Sequence, residues 1–592
     1  MGTLPTLSRR EFIKGGMILL SSTSSLSALA SEDESDSSSP AADAQFDVQA
    51  FVDKALQSGR RRIVVPKGRY RVTPKAAAHL RFKDLTGIEI VAEGVEMICT
   101  QTVRAISFEN CHHVRLKGIT VDYDPLPFTE GRITAFSPDQ AWLEFELIEG
   151  YPAFKQLDGR VEIFDALTGD LRRELPSSEV EAIESTGRRC YRLVRPKGYH
   201  SEDKGDRERI GDILVTAQRS AEGGCDHAIV AADCMGLTLE DVTLYASPVF
   251  GFLELRCDRT TYRRCIIDRR SPAEDTVKRG HRRLRSLNAD AFHSIGAARG
   301  PTIVGCTARF QDDDCVNVHG IYHLVTGCYE HQLRVAAASG QLTIRAGDTV
   351  EFIPYEGNRP ADAVAVRIEP DKPISEMEKA FIQKRPMDEG SRRGLLGDKA
   401  RFFKITLDRA VPLAMGAGVC SSAGVGNGCL VSGCDFGYNR SRGIVIKASK
   451  AKVVGNKIIH GWMTAVLVAP EFFWWLEAAS GSDILVQGNT VSGCREPAIE
   501  VTAQGGNGKP LPSGAHRNVI IRENSINQSV WPNIHVTSCD SLVVKGNHLT
   551  PADANAFVPP LTRRWTWETS KPTPILVELC DKPEIQSASS KQ

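Results

Sequence analysis

The 592-residue chain has no excess of either charge: 73 Lys and Arg stand against 73 Asp and Glu, with a pI near 7.2. That balance argues against nucleic acid and anionic membrane as partners. No apolar run is long enough to span a bilayer, which takes about 20 residues. CxxC pairs, His/Cys clusters with zinc spacing and the EF-hand spacing are all missing. The chain therefore carries none of the sequence signatures of a zinc or EF-hand calcium site. At this length it is also too long for one compact core, so several modules or a long solenoid are expected.

What is present is glycine, 50 residues, and 16 scattered cysteines. The glycine suits a turn-rich β protein. Residues 8–14, Ser-Arg-Arg-Glu-Phe-Ile-Lys, resemble a twin-arginine export signal. A short apolar stretch to Leu20 and the small residues Ala28-Leu-Ala30 follow, so residues 1–30 read as a signal peptide and 31–45 as a disordered linker. The expected destination is the periplasm or beyond. A protein exported folded first folds in a reducing cytoplasm. Cys234, Cys257, Cys306, Cys434, Cys494 and Cys539 recur at matching positions of the repeat and read as stacked, buried thiols, with a few disulfides left open as the alternative.

Short β runs punctuated by Gly and Asn return along the chain, among them Lys452-Val-Val-Gly-Asn456, Ile484-Leu-Val-Gln-Gly-Asn489, Val519-Ile-Ile-Arg-Glu-Asn524 and Leu542-Val-Val-Lys-Gly-Asn547. A coil of 22–23 residues with loop insertions accounts for their spacing, and strands at this period predict an all-β right-handed parallel β-helix. The repeated Asn is expected to adopt the left-handed turn conformation and to form a side-chain ladder. A cap and first coils are expected over 46–126, central coils over 223–322, further coils over 426–550 and a C-terminal cap and tail over 551–592. Longer alternating strands break the repeat at 127–222 and 323–425, which predicts two inserted antiparallel β modules, barrels or sandwiches.

The richest feature is acidic. Asp290, in Ser286-Leu-Asn-Ala-Asp290-Ala-Phe-His-Ser294, precedes Asp313 by 23 residues, and Asp314 follows. Residues one coil apart in a β-helix lie about 4.8 Å apart on one face. The repeat would thus put Asp290 beside Asp313, with Asp268 extending the column. Crowded carboxylates raise one another's pKa, and a fold keeps them mainly where one carboxyl must be protonated and another ionised. Calcium binding is the rival reading. Trp475 is the candidate stacking platform for a sugar, and Glu477 a candidate partner for its hydroxyls. His293, His319 and Arg442 are further candidates for substrate contact. Arg282, Arg283 and Arg285 read as a solvated loop or as counter-charges to the acids.

Several segments together resemble glycoside hydrolase family 110, the exo-acting α-1,3-galactosidases. They are His227-Ala-Ile229, Val242-Thr-Leu-Tyr-Ala246, Gly251-Phe-Leu253, Asn288-Ala-Asp-Ala-Phe-His293 and Asp313-Asp-Cys-Val-Asn-Val-His-Gly320. Arg442-Gly-Ile-Val-Ile446, Trp475-Leu-Glu477 and Asp483-Ile-Leu-Val-Gln-Gly-Asn489 extend the likeness over most of 46–550. The resemblance implies an inverting hydrolase acting on branched, blood-group-B-like or linear α-1,3-galactosides. Asp313 would be the general acid, Asp290 and Asp314 the candidate bases, with no cofactor and no metal. The implied partner is a galactose-containing oligosaccharide or polysaccharide, without membrane insertion; a homodimer is left open. The His-containing motif of the related family 28 polygalacturonases is not evident. Two other classes compete: a β-helix polysaccharide lyase or epimerase, and a non-catalytic carbohydrate-binding solenoid.

Overall fold

The computed structural model describes residues 46–154, 160–176, 180–197, 208–218, 226–273, 275, 282–551 and 573–586. The expected signal peptide and linker, and most of the expected C-terminal tail, lie outside these residues. A helix at Val48–Gln57, N-capped by Asp47, covers the first coil with Val48, Val52 and Ala55.

Beyond the helix the chain winds into a parallel β-helix. Each regular coil gives one short strand to each of three ladders. One coil is Phe252–Leu255, Thr261–Arg263 and Ile266–Ile267; the next is Phe292–Ile295, Thr302–Val304 and Thr307–Arg309. The ladder that matters for function runs in the register Phe252, Phe292, Val316, Ile444, Val466, Ile499. These six side chains are at most 2% exposed and belong to one continuous core. Alternation along a strand sends the next residue of each to the opposite face, so Leu253, His293, Asn317, Val445, Leu467 and Glu500 line up outside the core. Fully burying each apolar side chain contributes about 1.5–3 kcal/mol. The stacked rings of Phe252 and Phe292, 5.0 Å apart, tie two coils together.

Two antiparallel modules interrupt the solenoid. A seven-stranded sheet runs from Phe128–Phe136 to Ile213–Ala217. A closed six-stranded barrel runs from His323–Tyr329 to Gly418–Ser421. The barrel leaves the solenoid just after Val316–Ile321, and the solenoid resumes at Leu430–Ser432. Val316 and Ile444 are therefore neighbours in register although the barrel separates them in sequence.

The asparagines form the expected ladder. Asn456 Nδ2 donates to Asn489 Oδ1 (3.0 Å), Asn489 Nδ2 to Asn524 (2.9 Å) and Asn524 Nδ2 to Asn547 (2.9 Å). Their conformation is not as expected. Positive φ falls on the preceding residue, Gly455, Gly488, Glu523 and Gly546, while the asparagines turn their amides into the solenoid. The described cysteines are free thiols. Six of them stack, in two columns rather than one, and Cys494 and Cys539, expected at matching positions, belong to neither: Cys494 N donates to Ser529 Oγ and Cys539 pairs with His516. Cys111, Cys234 and Cys257 share one turn, and Cys265, Cys306 and Cys434 another, where Cys434 N donates to Asn456 Oδ1 and the thiol column passes into the asparagine ladder.

Candidate active site

Asp290 and Asp314 immediately precede the strands Phe292–Ile295 and Val316–Ile321, so the ladder register fixes them. Phe292 pairs with Val316, an offset of 24 residues, and Ala291 N donates to the Asp314 carbonyl (2.9 Å). Asp290 therefore stacks against Asp314 and not, as the 23-residue repeat suggested, against Asp313. Asp268 leaves the column altogether. It follows Ile266–Ile267, a strand of a different ladder, and the register runs Ile267 to Ala308.

The three carboxylates still converge: Asp290, Asp313 and Asp314 each offer an oxygen within 4.8 Å of the others. Asp290 and Asp314 are 0% exposed, whereas the Asp313 side chain is 14% exposed. Asp314 is clamped. Its Oδ1 accepts from Ser441 Oγ (2.6 Å), Arg442 N (3.0 Å) and Arg442 Nε (2.9 Å), and its Oδ2 accepts from Arg442 Nη2 (2.8 Å). Asp290 Oδ2 lies 2.6 Å from His293 Nδ1. Arg440 Nη2 approaches Asp313 Oδ1 at 3.3 Å. This separation of oxygens is shorter than the roughly 6.5–9.5 Å between carboxyl groups of most inverting pairs.

A ring of buried side chains closes around the acids. Arg442 Nη1 donates to Glu471 Oε1 (2.7 Å), and Lys447 Nζ reaches Glu471 Oε2 (2.9 Å) and Glu477 Oε2 (3.0 Å). Glu477 Oε1 lies 3.7 Å from His319 Nε2, and His319 Nε2 lies 3.1 Å from His293 Nε2. Arg442, Glu477, His293 and His319 are thus brought together with the acids. Trp475 belongs to the loop carrying Glu471 and Glu477. It is half-buried, its ring is edge-on to Trp474, and its carbonyl accepts from Ser391 of the barrel module.

Sequence reasoning missed Glu471, Ser441, Lys447 and Asn317. The last two carried a signal: each is a polar residue in an apolar strand, Val316-Asn-Val318 and Ile444-Val-Ile-Lys447. Lys447 Nζ donates to Asn317 Oδ1 (3.0 Å). An ammonium has only donors, so the contact fixes the amide's orientation and turns Asn317 Nδ2 away from it. That buried nitrogen has no hydrogen-bond partner among the described residues, which leaves it for a water or a ligand.

The arginines preceding Asp290 are not one solvated loop. Arg282 is exposed, but Arg283 (2% exposed) binds Asp122 and Asp275, and Arg285 (0%) binds Glu162 of the first inserted module. Glu162 and Asp312 lie buried together beside Arg285. Burial pushes Glu162 up to about 8, opposed by Arg285 and reinforced by Asp312. Asp312 is also penalised by burial, but Arg285, Arg160 and Arg440 hold it well below the usual carboxylate range. Burial thus favours the protonated form of Glu162 and the arginines the ionised form of Asp312, and Arg285 ties the inserted module to the turn that carries Asp313.

A family model for the right-handed β-helix region matches residues 413–558, which supplies the handedness. The chain is 22% identical over 568 residues to α-1,3-galactosidase B of Bacteroides thetaiotaomicron, a match covering 86% of this chain and 84% of the relative. It is 19% identical over 566 residues to α-1,3-galactosidase A of Bacteroides fragilis, covering 84% and 83%. The likeness to α-1,3-galactosidases read from the motifs thus extends over most of the chain. Among solved structures, the A-module of a mannuronan C-5 epimerase from Azotobacter vinelandii superimposes with a TM-score of 0.38 at 10% identity, covering 91% of this chain and 95% of that one.

Proposed function

We propose that the protein is an exo-acting, inverting glycoside hydrolase that releases terminal α-1,3-linked galactose. The observation that carries the reading is the carboxylate cluster, with one accessible acid above two buried ones. The similarity to α-1,3-galactosidases over 86% of the chain supplies the substrate class.

Each carboxylate takes a role from its surroundings. Asp313, the exposed member, protonates the glycosidic oxygen as the bond from C1 breaks. A water held at the buried pair attacks C1 from the opposite face and gives up its proton. One water donating to two carboxylate oxygens at about 2.8 Å each spans acceptors about 4.5 Å apart. The buried pair lies within that reach, at no more than 4.8 Å; Asp313 lies as near, so inversion needs its side chain to swing away from the pair as the sugar enters. Of the two buried acids, Asp290 is the better base. Asp314 already accepts four hydrogen bonds, three of them from Arg442, and that engagement lowers its basicity. Asp314 holds the water and Asp290 takes the proton. Trp475, on the loop that closes the ring, supplies the apolar face for the sugar.

The twin-arginine motif at Arg9 and Arg10 supports export of the folded enzyme to the periplasm or beyond. The activity is tested by incubating the protein with galactosyl-α-1,3-galactose and with a fucosylated blood-group-B trisaccharide. Free galactose from at least one of them is expected. Release from neither, with the folded protein in excess, refutes the assignment.

A further inference from the structure

We propose that Asp290, His293 and His319 form a chain that stores one proton, with Asp290 as carboxylate, His293 as imidazolium and His319 as the neutral acceptor that fixes the arrangement. The proton count does not depend on Asp290 being the base.

The count follows from which atoms can donate. His319 Nδ1 lies 2.7 Å from the Gly320 carbonyl, which only accepts, so Nδ1 carries hydrogen. Burial pushes the His319 ring down to about 3; Glu477 opposes this, and His293 and Lys447 reinforce it. A neutral ring with hydrogen on Nδ1 has a lone pair on Nε2. His293 Nε2, 3.1 Å away, must then be the donor. The other nitrogen of His293 is 2.6 Å from Asp290 Oδ2. If His293 were neutral and Asp290 ionised, two lone pairs would meet there. The contact therefore holds a proton.

The surroundings place that proton on nitrogen. The network that contains His293 joins the acids Asp290, Asp313, Asp314, Glu471 and Glu477 to Arg442 and Lys447, with Arg440 shared between Asp313 and Asp312. Phe250 stacks on His293 at 4.2 Å and 6°, with His227 stacked on Phe250 at 4.7 Å, so an aromatic face lies against the cation.

His319 is then a positioning residue. It keeps hydrogen on His293 Nε2, which obliges Nδ1 to hold the second proton against Asp290. Without an acceptor at position 319, His293 can turn neutral with its hydrogen on Nδ1, and the stored proton leaves.

The test is histidine-selective 15N NMR of the full chain between pH 6 and pH 9, with signals assigned by their loss in His293→Gln and His319→Gln. We expect His293 protonated on both nitrogens to at least pH 8, and His319 neutral with hydrogen on Nδ1. In His319→Phe the imidazolium signal should vanish at least one pH unit lower, and His319→Gln, whose amide oxygen can accept, should restore it. A neutral His293 with hydrogen on Nε2 would put the proton on Asp290 and overturn the proposal. Hydrogen on Nδ1 alone would mean that no proton is stored, which also overturns it. If His319→Phe does not fold, the unmodified protein's spectrum decides. No substrate enters the measurement, so its failure is distinct from failure of the galactosidase reading.

Discussion

Replacing Arg442 with Met should expose how much of the site is built from charge. Asp314 is 0% exposed, and Arg442 gives it a backbone N–H and two guanidinium donors, while Nη1 serves Glu471. Met fills a similar volume and keeps the backbone donor, but leaves a buried carboxylate without its counter-charge. Removing one partner of a buried pair typically costs about 3–5 kcal/mol. Unfolding entropy is about 2.1 cal/mol/K per residue, hence about 1.1 kcal/mol/K for the roughly 540 residues after the expected leader and linker. The melting temperature should fall by about 3–5 °C near pH 7.5 if these residues melt as one unit. The loss should also depend on pH. In the variant Asp314 has a raised folded pKa, so the deficit shrinks as pH falls and the carboxyl takes a proton, by about 1.4 kcal/mol per pH unit over the affected range. Adding Asp314→Asn should recover most of the loss. Scanning calorimetry of the protein, the single variant and the double variant at pH 5 and pH 7.5 reads all three effects. A shift below about 1 °C at pH 7.5, or a double variant less stable than the single one, refutes the idea that the pair carries this energy.

Asp313→Asn should lower turnover of a natural α-1,3-galactoside by about 10²–10⁴-fold. An activated aryl galactoside, which needs less protonation of its leaving group, should lose less; equal losses on the two substrates in steady-state assays would remove Asp313 as the acid. Glu162→Gln mimics the protonated carboxyl that the pair with Asp312 maintains. The folded pKa of about 8 lies above the unfolded value near 4.3, so stability linked to this group is full below the unfolded value. It drains as pH rises and levels off above the folded one. The variant should therefore match the unmodified protein at pH 4 and exceed it at pH 8.5 by a few kcal/mol in thermal denaturation; a constant difference across that range would contradict the shared proton. Replacing both Arg9 and Arg10 with Lys should leave precursor in the cytoplasm, and normal export on cell fractionation would rule out the twin-arginine route.

The solenoid was legible because its period is local. Each coil rewrites the same strand–turn signals within 22–23 residues, and the asparagines mark one turn four times. The acids were legible for the same reason, since Asp290 and Asp314 sit just before strands of one ladder on consecutive coils. Their pairing was misread by one residue because the coil between them holds 24 residues, and a single residue shifts every partner. What stayed hidden depends on insertions. Arg442 meets Asp314 on the next coil although a whole barrel is spliced between them, and that insertion hides the contact from sequence spacing. Glu471, Lys447 and Glu477 read singly as ordinary charges; the ring appears only when the loop after Val466–Val468 folds back. Arg283 and Arg285 could be read as a solvated loop or as counter-charges to the acids; they are counter-charges, but two of their partners, Asp122 and Glu162, lie too far away in sequence to be named.

The most direct measurement is the anomeric form of the first sugar released. Proton NMR in the opening minutes of hydrolysis of an α-1,3-galactoside distinguishes the anomers before mutarotation mixes them. One exposed acid above two buried carboxylates that hold a water predicts β-galactose as the first product. Initial α-galactose would mean a covalent intermediate on one of those carboxylates and would contradict the roles assigned to Asp313, Asp290 and Asp314.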